Sequence, residues 1–143
     1  MNVRNLTERD VPVLLEILAE TLGENQKEEF ERLLFETLKL QEEKKVFSYV
    51  FEENSEIIGA GDIFKDGDQG VIGLIVRKAY QGRGIGKFIL SYLLSKSKDL
   101  GIKFVLLVVK KENLVAKRLY EKFGFVKLKD LDENLEIYVF SML

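Results

Sequence analysis

The chain has no cysteine, no histidine, no tryptophan and a single proline. Without cysteine there is neither a disulfide framework nor a thiolate nucleophile, so no cysteine can carry a covalent acyl group. Without histidine the usual near-neutral acid or base is missing, which argues against a zinc site and against a histidine-based triad. Long hydrophobic runs are missing too. None approaches the ~20 apolar residues that cross a bilayer, so no membrane partner is expected. The opening "MNVRNLTERD" is too polar for a signal peptide, and a cytoplasmic location is expected.

What the chain does have is 143 residues, 46% of them hydrophobic and spread in short runs. That length predicts one domain over 1–143, a size that buries roughly 70% of the surface exposed by the unfolded chain. Charged residues reach 32%, above the ~25% of ordinary domains. Lysine and glutamate dominate them, a bias shared with thermophile proteins. The net charge of −2 hides a division. Residues 1–69 carry 17 acidic and 8 basic side chains, a balance of −9, whereas residues 70–143 carry 7 and 14, a balance of +7. The two halves are thus suited to ligands of opposite sign. Nucleic acid is not expected, because the lysines of the basic half are not interleaved with exposed aromatics and the whole chain is acidic.

Along the chain, "NLTERD" reads as a helix start, with Thr7 as cap and Asp10 three residues on. Apolar residues at Val11, Leu14, Leu15, Leu18 and Leu22, then at Phe30, Leu33, Leu34 and Leu38, predict two amphipathic helices. "VFSYVFEE", "EIIGAGDIF" and "GVIGLIV" predict an antiparallel meander. A helix through Ile85, Phe88, Ile89, Tyr92 and Leu93 should end near Gly101. "FVLLVV" is apolar throughout, as in a strand buried on both faces. "NLVAKRLYEKFG" predicts a short helix between Asn113 and Gly124 that buries Val115, Leu119 and Phe123, and "FVKL" and "LEIYVFSML" predict closing strands. The order β, α, α, three β, α, β, α, β, β describes one mixed α/β sheet.

Three of the eleven glycines, Gly82, Gly84 and Gly86, stand at alternate positions in "QGRGIGKF", between a strand and a helix. Either the chain needs a turn there, or it cradles an anion. The first N–H groups of a helix are unpaired and sit at the positive end of its dipole, and glycine lets several of them converge on a phosphate. Arg83 and Lys87 add full charges beside them. A nucleoside triphosphate P-loop needs glycine at 81 and Ser or Thr after the lysine, where Gln81 and Phe88 stand. A dinucleotide fingerprint needs glycine at 87, where the chain has Lys87, and an acidic residue closing the next strand, where Lys110 and Lys111 come first.

"QGRGIG" resembles instead the pyrophosphate loop of the GNAT superfamily of acyl-CoA N-acyltransferases, Q/R-x-x-G-x-G/A, through Gln81, Gly84 and Gly86. "NLVAKRLYEKFGF" is similar to that family's second motif, N-x-x-A-x-x-x-Y-x-x-x-G-F, through Asn113, Ala116, Tyr120 and Gly124. The resemblance implies a mixed sheet flanked by helices, with acetyl-CoA bound where two parallel strands splay apart. It implies that Leu74, Ile75 and Val76 pair with the pantetheine arm and that the backbone of Gln81, Gly82, Arg83, Gly84, Ile85 and Gly86 holds the pyrophosphate beside Lys87. Asn113 either meets the pantetheine or pyrophosphate region or only caps its helix. The resemblance makes Tyr120 the acid for a leaving CoA thiolate, in an acetyl transfer made directly to an amine, with no metal. A noncatalytic CoA-binding or regulatory module is the alternative.

The base that neutralises the amine is not carried over. Some relatives place a glutamate at the start of the strand before the loop or five residues before the motif asparagine, where this chain has Gly70 and Val108. Asp62, Asp68 and Glu112 are candidates by their place in the element order. An acceptor of low pKa is favoured by a missing base. Glu24, Glu28 and Glu31, at helical spacing in "ENQKEEFE", predict an acceptor that is cationic beyond its reacting amine. The motifs name neither the acceptor nor an oligomeric state.

Overall fold

A computed structural model describes residues 1–143. Its strands are β1 (Asn2–Asn5), β2 (Val46–Glu53), β3 (Glu56–Asp66), β4 (Gln69–Val76), β5 (Phe104–Lys110), β6 (Val126–Asp130) and β7 (Leu135–Ser141). Its helices are α1 (Val11–Leu22), α2 (Lys27–Glu42), α3 (Ile85–Asp99) and α4 (Leu114–Phe123). The strands form one sheet in the order β1-β2-β3-β4-β5-β7-β6. Every neighbouring pair is antiparallel except β4 and β5. The mixed α/β sheet and its meander are those expected from the sequence.

Local chemistry sets the element ends. The backbone N–H of Thr7 donates to the Asp10 carboxylate at 2.8 Å, and that carboxylate also receives Arg4 at 2.7 Å. Arg4 reaches Glu52 as well, at 2.8 Å, so one guanidinium ties β1 and β2 to the entry of α1. Pro12 sits in the first turn of α1, where its missing N–H is not needed. Gly124 leaves α4 in the left-handed conformation, with φ 102°.

The two sheet faces follow from the period of two. On one face, Ile85, Ile89, Leu90 and Leu93 of α3 pack with Phe51, Ile63, Ile72, Val105 and Leu107 in the larger core. Each fully buried side chain of this kind contributes about 2 kcal/mol of transfer free energy. The helix lies close to β3 because a side chain at Gly59 or Gly61 would meet Ile89 or Leu93 within 3 Å. On the other face, Leu14 and Ile17 of α1 join Leu6, Val50 and Ile57 in a second core, with Leu34 and Leu38 of α2 packed against it. No helix is long and apolar enough to cross a membrane.

Two packing expectations need correction. β5 is not buried on both faces: Val105, Leu107 and Val109 are buried, but Val108 is 46% exposed. Strand and neighbour part company there, so the second face opens onto a cleft. On α4, Val115 is 80% exposed, and the helix packs through Ala116, Leu119, Tyr120 and Phe123 instead. Leu119 and Phe123 are only half-buried against the core, and Val115 falls at the flank of that stripe, over the cleft.

Candidate active site

The glycine loop joins β4 to α3. Gly82 and Gly84 have φ of 79° and 81°, a region costly for residues with a Cβ, and a Cβ at either would meet nothing within 4 Å. These glycines are therefore required by conformation, with open space in front of them. No backbone acceptor takes the N–H groups of residues 82–84. Those of Ile85, Gly86 and Lys87 form the first turn of α3 and have no intrahelical partner. Six consecutive donors thus stand at the positive end of a helix, an arrangement that fits a pyrophosphate. Gln81 pins the loop, its side-chain amide donating to the Val76 carbonyl at 3.2 Å.

Next to the loop the sheet comes apart. β4 and β5 pair only at Gln69–Phe104, Gly70–Val105 and Val71–Leu106. Beyond Val71, β4 remains bound to β3 through Gly73–Asp62, Leu74–Gly61, Ile75–Ala60 and Val76–Gly59, while its other edge has no strand partner. β5 meanwhile stays on β7 up to Lys110. The parting opens a cleft of about 1410 Å³ that runs from the glycine loop to the underside of α1 and α2. This exceeds the ~300–1,000 Å³ of an ordinary small-molecule site and leaves room for two substrates.

Tyr120 lines this cleft from α4. Its ring packs on Phe125 at a centroid distance of 5.9 Å, and burial pushes the phenol pKa above its ordinary value. The phenol therefore keeps its proton at neutral pH and can donate it. α4 is held to the sheet by Lys117, whose ammonium lies 2.6 Å from the Glu136 carboxylate of β7, with Lys127 of β6 at 2.8 Å on the other oxygen. These two cations keep the Glu136 carboxyl below the usual carboxylate range.

Opposite the loop, Ser48, Asp62 and Gly73 form one cross-strand row over β2, β3 and β4. Asp62 lines the cleft. Burial pushes its carboxyl up to about 6, partly offset by the Gly73 backbone N–H. A side chain at Gly73 would stand 3.2 Å from its Oδ1. The missing side chain is what lets the carboxylate lie across β4, on the side of the splay.

The acetyltransferase (GNAT) family model matches residues 11–125. The chain belongs to that family. Over 101 residues it is 33% identical to the [ribosomal protein bS18]-alanine N-acetyltransferase of Haemophilus influenzae, covering 70% of this chain and 68% of the relative. Among solved structures, a chimera of the Vibrio cholerae spermidine N-acetyltransferase SpeG and hSSAT superposes with a TM-score of 0.84 at 19% identity, covering 99% of this chain and 96% of the other. The PaiA N-acetyltransferase of Thermoplasma acidophilum in complex with coenzyme A gives 0.81 at 23% identity, over 98% of both chains. Both structural likenesses bear on the GNAT fold alone.

Within the GNAT fold, the cleft brings together Leu74, Ile75, Val76, Gln81, Gly82, Gly84, Gly86, Lys87, Asn113 and Tyr120. Two of the expected residues stand apart. The Ile85 side chain is buried in the core, so only its backbone faces the loop. The Arg83 guanidinium lies over the Tyr80 ring, 5.1 Å from its centroid, and is not part of the cleft wall. Asn113 does cap its helix, its Oδ1 accepting from the Ala116 N–H at 3.1 Å, which leaves its amide nitrogen for a ligand. Of the three base candidates only Asp62 reaches the cleft. Asp68 sits in the β3–β4 turn, at the far end of β4 from the loop, and Glu112 is exposed in the turn before α4. Glu24, Glu28 and Glu31 are exposed and outside the cleft, because α2 turns Phe30, Leu33 and Leu34 toward it instead. The register Asp62–Gly73 is the signal that the sequence carried only implicitly.

Proposed function

We propose that this GNAT protein transfers an acetyl group from acetyl-CoA directly to a primary amine. The observation that carries the reading is the end of the β4–β5 ladder at Val71 and Leu106, beside six free N–H groups and below Tyr120. The free edge of Leu74, Ile75 and Val76 would pair with the pantetheine amides as a further strand does. The N–H groups of 82–87, with Lys87, would hold the pyrophosphate, and Asn113 would donate its amide N–H to the same arm. Bound there, acetyl-CoA supplies an activated acyl carbon and a thiolate leaving group. Tyr120 would protonate the departing sulfur, work worth roughly 10²- to 10⁴-fold in rate. No cysteine is present to hold the acetyl group in transit, so donor and acceptor would be bound together. Acetyl-CoA is an intracellular metabolite, and the cytoplasm is the compartment this reading implies.

The acceptor wall favours an uncharged body around the amine over a polycation, since Leu18, Leu22, Phe30 and Leu33 line it and Glu24, Glu28 and Glu31 do not. A peptide α-amine fits that wall, and the alanine N-acetyltransferase relative supports the same choice. The test is release of free CoA from acetyl-CoA with short peptides bearing free N-termini, polyamines, amino acids and aminoglycosides. Turnover with an amine is expected. CoA binding without turnover on any amine would favour a noncatalytic module, and absence of binding would reject the CoA site.

A further inference from the structure

Resting on the transferase reading, we propose that Asp62 takes the proton from the acceptor's ammonium group. Four observations converge on Asp62. It is the only carboxylate in the cleft wall. It shares the α1/α2 face with Ser48 and Gly73, one strand away from the edge that opens at the splay. Gly73 leaves the space into which its Oδ1 leans. No cation pairs with it, and desolvation is the largest influence on its proton affinity. A carboxylate fixed in the structure by an ion pair, as Asp10 is by Arg4, is occupied; Asp62 is not.

The surroundings add little charge. From α1 and α2 the cleft receives leucines, Phe30, Thr21 and Thr37. From β2 comes the Ser48 side chain, while the Tyr49 ring turns away to pack on Tyr92 of α3; from β4 come only Gly73, Leu74, Ile75 and Val76. The cations of the cleft are Lys87 at the start of α3 and Lys110 at the end of β5, and the phenol that faces it is that of Tyr120 on α4.

The protons balance as follows. Asp62 removes one from the ammonium, and the neutral nitrogen attacks the thioester carbon. The N–C bond forms and the C–S bond breaks, while Tyr120 gives its proton to the sulfur. The second proton lost by the nitrogen, as the amide forms, restores Tyr120, and Asp62 returns its own to water. A carboxyl that titrates near 6 is about 2 units below an α-amine but more than 4 below a lysine, so the uphill transfer is about a hundredfold easier for the α-amine.

Asp62→Asn keeps the shape and removes the base. With a peptide α-amine as acceptor, kcat/KM at pH 7 is expected to fall about 100-fold or more. The deficit should shrink to below about tenfold at pH 9, where the amine loses its proton unaided, and stabilisation of the fold by acetyl-CoA should be unchanged. Wild-type rate in the variant, or a deficit equal at all pH values, overturns the role. A second measurement needs no variant. Carbon-13 NMR of the wild-type Asp62 carboxyl should show titration near 6, and a value near 4 overturns the inference. If the wild type turns over no amine at all, the transferase reading fails and the role of Asp62 with it, an outcome distinct from an active enzyme indifferent to Asp62.

Discussion

The two ends of the cleft are built in opposite ways. At the proposed donor end, the groups that would face a ligand come from short contiguous stretches, the β4 edge at Leu74–Val76, the loop 81–87 and the helix start at Asn113, and most of them are backbone groups. At the proposed acceptor end, the wall is assembled from β2, β3, α1 and α2, its side chains are mostly apolar with Thr21, Thr37 and Ser48 among them, and a single unpaired carboxylate, Asp62, lies across it. A backbone cradle constrains sequence tightly, because glycine takes φ near 80° at 82 and 84 without the strain that a Cβ adds there. A side-chain wall constrains it loosely, since many apolar residues fill the same space. On the transferase reading, the same cleft would recognise a fixed donor by geometry and a particular acceptor by composition.

This contrast can be broken at either end. The largest effect is expected where the ends meet: Tyr120→Phe should lower kcat by about 10²- to 10⁴-fold while leaving acetyl-CoA affinity nearly intact, measured by single-turnover kinetics so that acyl transfer is what is timed. A variant as fast as wild type in that assay would make Tyr120 a packing residue on Phe125.

At the donor end, acetyl-CoA at a hundredfold excess over Kd should stabilise the wild type by about 2.7 kcal/mol, a rise of several degrees in Tm. Gly84→Asp should remove that shift, by placing a Cβ at φ 81° and a negative charge where the proposed site would hold the pyrophosphate. A full shift in the variant would move the phosphate site elsewhere.

At the acceptor end the stability effect has the opposite sign. The folded pKa of Asp62, about 6, lies above the unfolded value near 3.9, so its ionisation opposes folding above pH about 6 and not below the unfolded value. Asp62→Asn should therefore raise stability by about 2 kcal/mol at pH 8, after allowance for its partial exposure, with the gain gone by pH 3.5. Equal melting temperatures across that range would contradict the burial argument. Function at this position is expected to oppose stability.

The smallest effect sharpens the contrast. Changing Glu24, Glu28 and Glu31 together to Gln should alter KM for a peptide α-amine by less than about twofold, because exposed charges outside the cleft act only through screened water. A large rise in KM would bring the acidic helix back into acceptor binding.

The uneven legibility of the sequence follows from the same contrast. The loop and the α4 motif are local: Gln81, Gly84, Gly86, Asn113 and Tyr120 are each fixed by neighbours a few positions away, so their pattern shows in the chain itself. The meander and the helix ends were equally local. Asp62 looked no better than Asp68 or Glu112, because choosing among them needs the β3–β4 register, which sets Asp62 opposite Gly73 and sends Asp68 to the far turn. "FVLLVV" suggested a strand buried on both faces, since nothing in its residues says that its neighbour departs after Leu106. Val115 is apolar for a cleft rather than for the core, a distinction that hydrophobic spacing does not make. The acidic face of "ENQKEEFE" lies outside the cleft because the helix turns its apolar side to it, a rotation that the charge pattern does not fix.

The most direct test of the account is mass spectrometry on peptides incubated with the protein and acetyl-CoA, one with a free α-amine and an internal lysine, one with its N-terminus blocked. The account predicts acetylation of the α-nitrogen of the first and no product from the second. Acetylation of the lysine in both, or of neither peptide under conditions in which acetyl-CoA is bound, would contradict it.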